Sequence, residues 1–349
     1  MTSIDFNINS LVRTSVKNLK PYSSAREEYK DFDKDMVFLD ANENPNNNGV
    51  NRYPDSQQLK LKQRLSKLKH VRVNNILLGN GSDEVLDLLI RTFCEPKKDQ
   101  IIILPPTYGM YQVLADINNV SSISVALDNN FQLRVDDILK TATSNTKMLF
   151  LCAPNNPTGN HFKSQKIEFL LKKFNGIVVI DEAYIDFSSQ KSWLAKLDEF
   201  PNLVITQTLS KAYGMAGIRL GLCFASKIII ETINKIKPPY NINILTQQYV
   251  LQQLQNVAHI EAQIQNIKKQ RKRLEHALHS ISFIEQVYPT ETNFILIKVD
   301  DATKRYQQLI NKGIVVRNRT SQLGCKNCLR ITVGTSKENN TLINVLKNL

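Results

Sequence analysis

The fold is decided by three consecutive stretches: MLFLCAPNNPTGN at 148–160, SQKIEFLLKKF at 164–174 and GIVVIDEAY at 176–184. Two short apolar runs flank a segment whose apolar positions recur at helical spacing, which is typical of a strand–helix–strand unit. Neither apolar run alternates with polar residues, so both faces of each strand are expected to be buried. This unit predicts a mostly parallel sheet that is covered by helices.

The same alternation of short apolar runs and amphipathic segments continues on both sides of this unit, up to Pro238 and Pro239. Beyond these prolines a long polar helix is predicted over 245–280, and strand-like runs follow it, which indicates a second and smaller domain. The predicted strands outside the opening unit are 75–79, 100–104, 203–208, 221–225, 293–298, 313–317 and 328–334.

These patterns predict an α/β protein in three parts. Residues 1–40 are expected to form an N-terminal arm that joins the small domain and holds one strand-like piece at 36–40. Residues 41–240 are expected to form the large domain on the mostly parallel sheet, and residues 241–349 the smaller α+β domain. A length of 349 residues suits two domains of ordinary size.

The composition is that of an ordinary globular protein, with 42% hydrophobic and 22% charged residues. The net charge of +13 comes largely from lysines scattered along the chain, so no nucleic-acid partner is expected. No apolar run approaches the roughly 20 residues of a membrane-spanning helix, and the first residues lack the pattern of a signal peptide. Five cysteines in 349 residues favour a reducing compartment, and the predicted location is the cytoplasm.

Several chemistries lack the motifs that they need. VVIDEA at 178–183 would suit a nucleotide hydrolase, but none of the 12 glycines is followed by lysine, so the phosphate-binding loop of that class is missing. Cys325 and Cys328 have the spacing of zinc ligands, but no second pair accompanies them at a usable distance, and no metal site is expected. Acyl transfer through serine has no support, because no GxSxG motif is present.

Polar residues follow the C-terminal ends of several predicted strands, where open α/β sheets bind their ligands. LGNGSDE at 78–84 turns at two glycines into a helix, and the free N–H groups of that terminus favour an anion such as phosphate. Pyridoxal phosphate requires a lysine, an acid at its ring nitrogen and a phosphate cradle. The other strand-end residues are Asn156, Asp181, Tyr184, Ser210, Lys211 and Arg219.

The motifs NPTG, DEAY and SKxxGxxGxRxG, in this order, resemble the fold-type-I pyridoxal-phosphate aminotransferases. Further motifs between residues 20 and 335 are similar to those of one branch, the histidinol-phosphate aminotransferases. They are KPYSSAR (20–26), LDANENP (39–45), NRYPD (51–55), LGNGSDE (78–84), PPTYGMY (105–111) and CLRITVGT (328–335). The resemblance implies a large domain that binds pyridoxal phosphate, a smaller domain, and a homodimer with shared active sites.

The resemblance also implies three catalytic residues. Lys211 binds the cofactor covalently and then moves the proton, Asp181 pairs with the ring nitrogen, and Tyr184 holds the phenolic oxygen of the ring together with Asn156. Tyr108 is expected to stack on the ring. The cofactor phosphate is assigned to Ser210, Arg219, the amides around Gly81, Ser82 and Asp83, and Tyr53 of the neighbouring subunit, and the acidic group of the substrate to Arg330, Arg317 and Tyr22.

The implied activity is transfer of an amino group from L-histidinol phosphate to 2-oxoglutarate, which gives imidazole-acetol phosphate and L-glutamate. Two alternatives share the cofactor. One is an aromatic or broad-specificity amino-acid aminotransferase, because the sequence resolves the imidazole pocket poorly. The other is a phosphoamino-acid decarboxylase, which would release carbon dioxide where an aminotransferase would need 2-oxoglutarate.

Overall fold

A seven-stranded sheet forms the centre of the large domain in this computed structural model, which describes residues 6–21 and 37–349. The strands are Ile76–Asn80 (β1), Gln100–Ile103 (β2), Ser121–Ser124 (β3), Thr146–Cys152 (β4), Ile177–Asp181 (β5), Leu203–Thr208 (β6) and Leu220–Ala225 (β7). Their order in the sheet is β1-β7-β6-β5-β4-β2-β3, and β7 runs antiparallel to both of its neighbours while the other neighbouring pairs are parallel. The prediction of a mostly parallel sheet is confirmed.

Both faces of this sheet are buried, as the unbroken apolar runs predict. In β5, Val178 and Ile180 pack into one apolar core, and Ile177 and Val179 pack into the core on the opposite face. The helices of the described residues are Ile8–Leu11 (α1), Thr14–Lys17 (α2), Leu59–Lys69 (α3), Gly81–Phe93 (α4), Met110–Ile117 (α5), Val135–Thr141 (α6), Ser164–Lys173 (α7), Lys227–Asn234 (α8), Ile244–Gln253 (α9), Val257–Leu278 (α10), Ala302–Asn311 (α11) and Ser336–Lys347 (α12). None of these helices is long and apolar enough to cross a membrane.

A second, antiparallel sheet forms the centre of the small domain. Its strands are Ile284–Val287 (β8), Phe294–Val299 (β9), Arg317–Asn318 (β10) and Cys328–Thr332 (β11), in the order β10-β11-β9-β8. One face packs on helices, because Ile295 and Ile331 share a core with Leu274, Leu309 and Leu342. The opposite face, which carries Arg330, meets the large domain, where the Phe294 ring lies edge-on to Tyr184 at 5.1 Å.

The packing moves the domain boundary from the predicted position at 240/241. α9 and the first half of α10 contribute Val250, Ile260 and Ile264 to a core of the large sheet. The small-domain core begins later in α10, with Leu274 and Leu278, and the partly buried Ile267 contacts both cores. α10 therefore packs in the cores of both domains. A boundary placed where the sequence pattern changes, at Pro238 and Pro239, does not show this.

The described part of the N-terminal arm, residues 6–21, packs on the large domain. Ile8, Leu11 and Val16 lie in the same core as Val85 of α4, and the Arg13 N–H donates to the Thr92 carbonyl at 3.1 Å. In this segment the expected junction with the small domain is therefore replaced by apolar contacts with α4 and its neighbours.

Two predicted strands are wrong in whole or in part. Residues 37–39 form no strand, and Met36 lies outside the described residues. Of 313–317, only Arg317 enters a strand, because the Ile314 N–H bonds back to the Leu309 carbonyl at the end of α11 and Val315 is exposed to solvent. β3 and β8 went unpredicted because their sequences, SSIS and IEQV, are polar and only partly buried edge strands.

Candidate active site

The ends of β4, β5 and β6 and the start of α4 surround one cavity of about 160 Å³. Residues far apart in the sequence meet there because neighbouring parallel strands end at the same edge of the sheet. Nearly all of the predicted strand-end residues line it. The lining residues are Ser82, Asp83, Tyr108, Cys152, Asn156, Asp181, Ala183, Tyr184, Thr208, Ser210, Lys211 and Arg219.

The start of α4 forms a cradle that only glycine can line. Gly81 opens the helix with φ +77°, and a Cβ there would lie 2.6 Å from Nη2 of Arg219. Gly221 of β7 passes so close that its Cβ would lie 2.2 Å from the Gly81 carbonyl carbon and 2.3 Å from the Ser82 nitrogen. Since the first N–H groups of a helix have no partner within the helix, this terminus, with the Arg219 guanidinium beside it, suits a phosphate group.

Asp181, the last residue of β5, is a buried carboxylate on the cavity wall. It accepts hydrogen bonds from the Tyr111 hydroxyl at 2.7 Å and from the Ala183 N–H at 3.2 Å, and burial raises its pKa. No cation pairs with it among the residues described. A buried carboxylate is expensive without a positive partner, so a ligand that presents a protonated ring nitrogen fits this wall.

Lys211 follows β6 and lies on the open side of the cavity. Its Nζ is 5.9 Å from the centroid of the Tyr184 ring. Burial lowers the pKa of Lys211, and the positive charge of Arg330 lowers it further, while Asp83 and Asp181 act in the opposite direction. A lowered pKa increases the fraction of free amine, which is the nucleophilic form.

Tyr108, just before α5, completes the wall, and Tyr111 in the first turn of α5 packs behind it. The Tyr108 hydroxyl donates to Asp83 Oδ1 at 3.1 Å, and its ring lies edge-on to Tyr111 at 5.5 Å. Tyr111 is fully buried and stacked on Phe150. Tyr111 was not among the predicted site residues, although the three-residue spacing after Tyr108 could have placed it on the same side of the helix start.

Arg330 brings the small sheet to the rim of the cavity. Its Nη1 donates to Oδ1 of Asn156, and the guanidinium lies 5.0 Å from the centroid of the Phe294 ring. Arg317 is its direct partner across β10 and β11, but the Arg317 side chain is exposed. Arg319, which the sequence analysis also missed, is half-buried nearby, and the alternation in RNR at 317–319 is the signal that places two arginines on one face.

One predicted residue lies elsewhere. Tyr53 does not line the cavity; it stacks on Tyr240 with ring centroids 4.6 Å apart and is 50% exposed. It sits in a separate, open depression of about 480 Å³ that also contains Val50 and Leu245. Tyr22 lies outside the described residues. Within the described ranges, no group of His, Cys, Asp and Glu side chains is arranged to hold a metal ion.

The donor set around the cavity fits pyridoxal phosphate. An anion cradle at α4, a buried carboxylate and a lysine with a lowered pKa lie on different walls, as a ligand with a phosphate, a ring nitrogen and a carbonyl carbon would need. The mostly parallel sheet with this site at its strand ends, together with the antiparallel small domain, defines a transferase of the fold-type-I class.

Comparisons with known proteins give the family. Residues 21–346 match the family described as aminotransferase class I and II, and the chain belongs to that family. It is 60% identical over 343 residues to the histidinol-phosphate aminotransferase of Flavobacterium johnsoniae, with 98% of each chain covered. The histidinol-phosphate aminotransferase of Clostridium acetobutylicum has a similar crystal structure, with a TM-score of 0.79, 27% identity, and 86% of this chain and 90% of that chain covered.

A second similar structure is that of the histidinol-phosphate aminotransferase from Sinorhizobium meliloti in complex with pyridoxal-5'-phosphate. It has a TM-score of 0.78 and 20% identity, with 85% of this chain and 82% of that chain covered. At this identity the likeness concerns the fold.

Proposed function

We propose that the protein transfers the amino group of L-histidinol phosphate to 2-oxoglutarate, giving imidazole-acetol phosphate and L-glutamate, with pyridoxal phosphate as cofactor. The observation that carries this proposal is Arg330 at the rim of the cavity that contains Lys211, without an acidic partner in the described chain. Both substrates present an acidic group, a phosphomonoester in one half-reaction and a carboxylate in the other. A planar guanidinium can bind either of them with two parallel hydrogen bonds. The full-length similarity to histidinol-phosphate aminotransferases supports the choice of substrate.

The residues that would hold the cofactor surround the cavity on all sides. The amides at Gly81, Ser82 and Asp83, with Ser210 and Arg219, would bind its phosphate, and Tyr108 would stack on its ring. Asp181 would keep the ring nitrogen protonated, and Tyr184 with Asn156 would bind the ring's phenolic oxygen. When bound, the cofactor supplies a carbonyl that takes up the amino group and a ring that withdraws electrons from the substrate.

Lys211 would carry the proton during the reaction. Its amine is on the open side of the cavity, and its lowered pKa favours the free amine, the form that can accept a proton from the α-carbon of the substrate. Arg330, helped by Arg317 and by Tyr22, would hold the acidic group so that this carbon faces the amine. Fixing the substrate in this way supplies much of the rate enhancement, because the reacting atoms are already oriented.

A homodimer with shared active sites is part of the proposal. Tyr53 does not line the cavity of its own chain, and its depression carries the exposed apolar side chains of Val50 and Leu245. A second copy of the chain would cover these groups and receive the Tyr53 hydroxyl at its own cofactor phosphate. The cytoplasm is the compartment we propose, since the five cysteines are all free thiols.

The function is tested by supplying histidinol phosphate to the purified protein with added pyridoxal phosphate. We expect glutamate to form only when 2-oxoglutarate is present, in amounts equal to the imidazole-acetol phosphate. Release of carbon dioxide from a phosphoamino acid would replace this proposal with decarboxylation. Faster turnover of aromatic amino acids than of histidinol phosphate would replace it with a broad-specificity aminotransferase.

The role of Lys211 is tested by reduction with borohydride and peptide mapping. The cofactor should become fixed to Lys211 and to no other lysine. Lys211→Ala should retain cofactor through the other contacts but lose turnover by more than the ~10²–10⁴-fold that a positioned base supplies. Labelling of another lysine, or turnover in the variant, would remove Lys211 from the mechanism.

The shared site is tested by mixing Lys211→Ala with Tyr53→Asp, which places a carboxylate beside the phosphate. In a twofold dimer each hybrid has one site with both changes and one site with neither. Random exchange makes about half of the dimers hybrids, so about a quarter of the wild-type activity should return. If exchange is verified and no activity returns, Tyr53 acts within its own subunit.

A further inference from the structure

Three arginines lie on one face of the small sheet. Arg317 is directly opposite Arg330 in the register of β10 and β11. Arg319 continues this ladder, since its N–H donates to the Cys328 carbonyl at 2.8 Å. Side chains alternate along a strand and opposed residues share a face, so all three side chains leave the sheet on the side that meets the large domain.

This positive cluster has no acidic partner in the part of the chain that the structure describes. None of the ion pairs found there includes Arg317, Arg319 or Arg330. The Nε atoms of Arg319 and Arg330 are buried and make no hydrogen bond. Like charges that face each other across two strands are destabilising, so the fold maintains a repulsion that a bound anion would relieve.

The half-buried Arg319 lies within electrostatic range of Tyr184, which lines the cavity. The charged and titratable groups around its guanidinium are Arg330, Arg317, Tyr184 and Cys325. Burial first, and then the two neighbouring arginines, lower the pKa of Arg319 to about 10, so it still carries its charge at neutral pH. The positive charge of Arg319 acts to lower the pKa of Tyr184, which lies on the cavity wall.

We propose that Arg319 is a specificity-determining residue, which binds the phosphate of the substrate and favours this dianion over a carboxylate. This inference rests on the proposed function. A phosphomonoester carries a charge of about −1.5 to −2 at pH 7 and three acceptor oxygens, whereas a carboxylate has one charge and two oxygens. The fork of Arg330 alone satisfies a carboxylate, so Arg319 gains a partner only when the anion is a phosphate.

The two half-reactions separate this role from a structural one. In Arg319→Gln, kcat/KM for histidinol phosphate should fall about 10- to 100-fold, as for a lost hydrogen bond between charged groups, while the value for glutamate falls less than about threefold. Arg319→Lys should recover part of the loss, because it keeps the charge without the fork. The control is Lys298→Gln, which removes a positive charge from the same sheet at a residue paired with Glu285, and should alter neither half-reaction.

The pH dependence provides a second readout. The ratio of wild-type to Arg319→Gln values of kcat/KM for histidinol phosphate should fall as the pH decreases through about 6, where the phosphate gains a proton. The ratio cancels the titration of Lys211 and of the substrate amine, which both proteins share. Equal losses in the two half-reactions, or a ratio that does not change with pH, would overturn the role of Arg319 and leave the proposed function intact.

Inorganic phosphate tests the anion site without histidinol phosphate. It should compete with glutamate in the wild type, and Arg319→Gln should weaken this competition while Lys298→Gln does not. If the wild type fails to use histidinol phosphate but retains this difference, the proposed function is wrong and the anion site stands. If phosphate competes equally in both variants, Arg319 does not bind it.

Discussion

Glu182 is a buried acid that makes the stability of the enzyme depend on pH. It follows Asp181 but points away from the cavity, where it accepts hydrogen bonds from the Ser192 hydroxyl at 2.5 Å, the Trp193 N–H at 2.7 Å and Gln207 Nε2 at 2.9 Å. These bonds favour the ionised form, but burial outweighs them and raises the pKa of Glu182 from 4.5 to about 7. In the folded protein Glu182 is therefore neutral over a pH range in which it is ionised in the unfolded chain.

The magnitude follows from linkage. Because one pKa unit corresponds to about 1.4 kcal/mol, this difference in pKa corresponds to about 3 kcal/mol of unfolding free energy. A folded pKa above the unfolded value stabilises the protein fully below the unfolded pKa, and this contribution is lost as the pH rises through the folded pKa. As the pH rises from 4.5 to about 7, the unfolding free energy of the wild type should therefore decrease because of Glu182.

Glu182→Gln removes this titration and keeps the shape of the side chain. The amide N–H of the new glutamine can donate to Oε1 of Gln207, which is buried and makes no hydrogen bond in the wild type. Urea denaturation of the holoenzyme at a series of pH values should show the variant gaining about 3 kcal/mol on the wild type between pH 4.5 and pH 8. Glu168→Gln is the control, since Glu168 is a surface acid paired with Lys172 and Lys196 and should not show this trend. A difference between Glu182→Gln and wild type that stays constant with pH would refute the reasoning.

Three further outcomes follow from the walls of the cavity. Gly221→Ala should lower the unfolding free energy by about 1–3 kcal/mol and weaken cofactor binding, because the added Cβ would contact backbone atoms. Denaturation and cofactor titration measure the two effects. Gly217→Ala, which has open space around it, should change neither quantity. Tyr111→Phe removes a hydrogen bond that lowers the pKa of Asp181, so cofactor affinity measured by absorbance titration should decline at a higher pH than in the wild type as the pH falls; parallel profiles would contradict this. Arg330→Lys keeps the charge but not the fork, so kcat/KM should fall about 10- to 100-fold in both half-reactions, and unchanged values would remove the arginine from the substrate site.

The sequence predicts those site residues that directly follow a recognisable strand. Asn156, Asp181 and Lys211 each follow an apolar strand, and the ends of neighbouring strands must meet. Gly221 is different, because its need to be glycine arises from the antiparallel pairing of β7 with β1, which lies about 140 residues earlier in the chain. The partner of a strand is set by the whole fold, so no local pattern could show this contact.

The grouping of Arg319 with Arg330 was also beyond local sequence patterns, because it depends on the pairing of β10 with β11. Arg319 joins Arg317 and Arg330 in one cluster because β10 pairs with β11, and this pairing is a property of the folded sheet. The 245–280 region is helical, but the single long helix predicted there is wrong, because the structure has two helices, Ile244–Gln253 and Val257–Leu278. Nothing in the periodicity of this region tells which core covers which apolar turn. Burial depends on what packs against the helix, and that information lies in distant strands.

The helix α10 has a mechanical consequence. Its 22 residues span about 33 Å as one rigid rod, with one end anchored in each core. About two thirds of the way along it, the buried Arg271 donates to the Phe187 carbonyl of the large domain and to the Thr292 carbonyl of the small domain. Because both ends of α10 are packed in a core, the small sheet cannot rotate relative to the large domain without bending the helix or breaking those two hydrogen bonds. Any closing motion over the cavity would therefore be confined to tilts that the helix can follow.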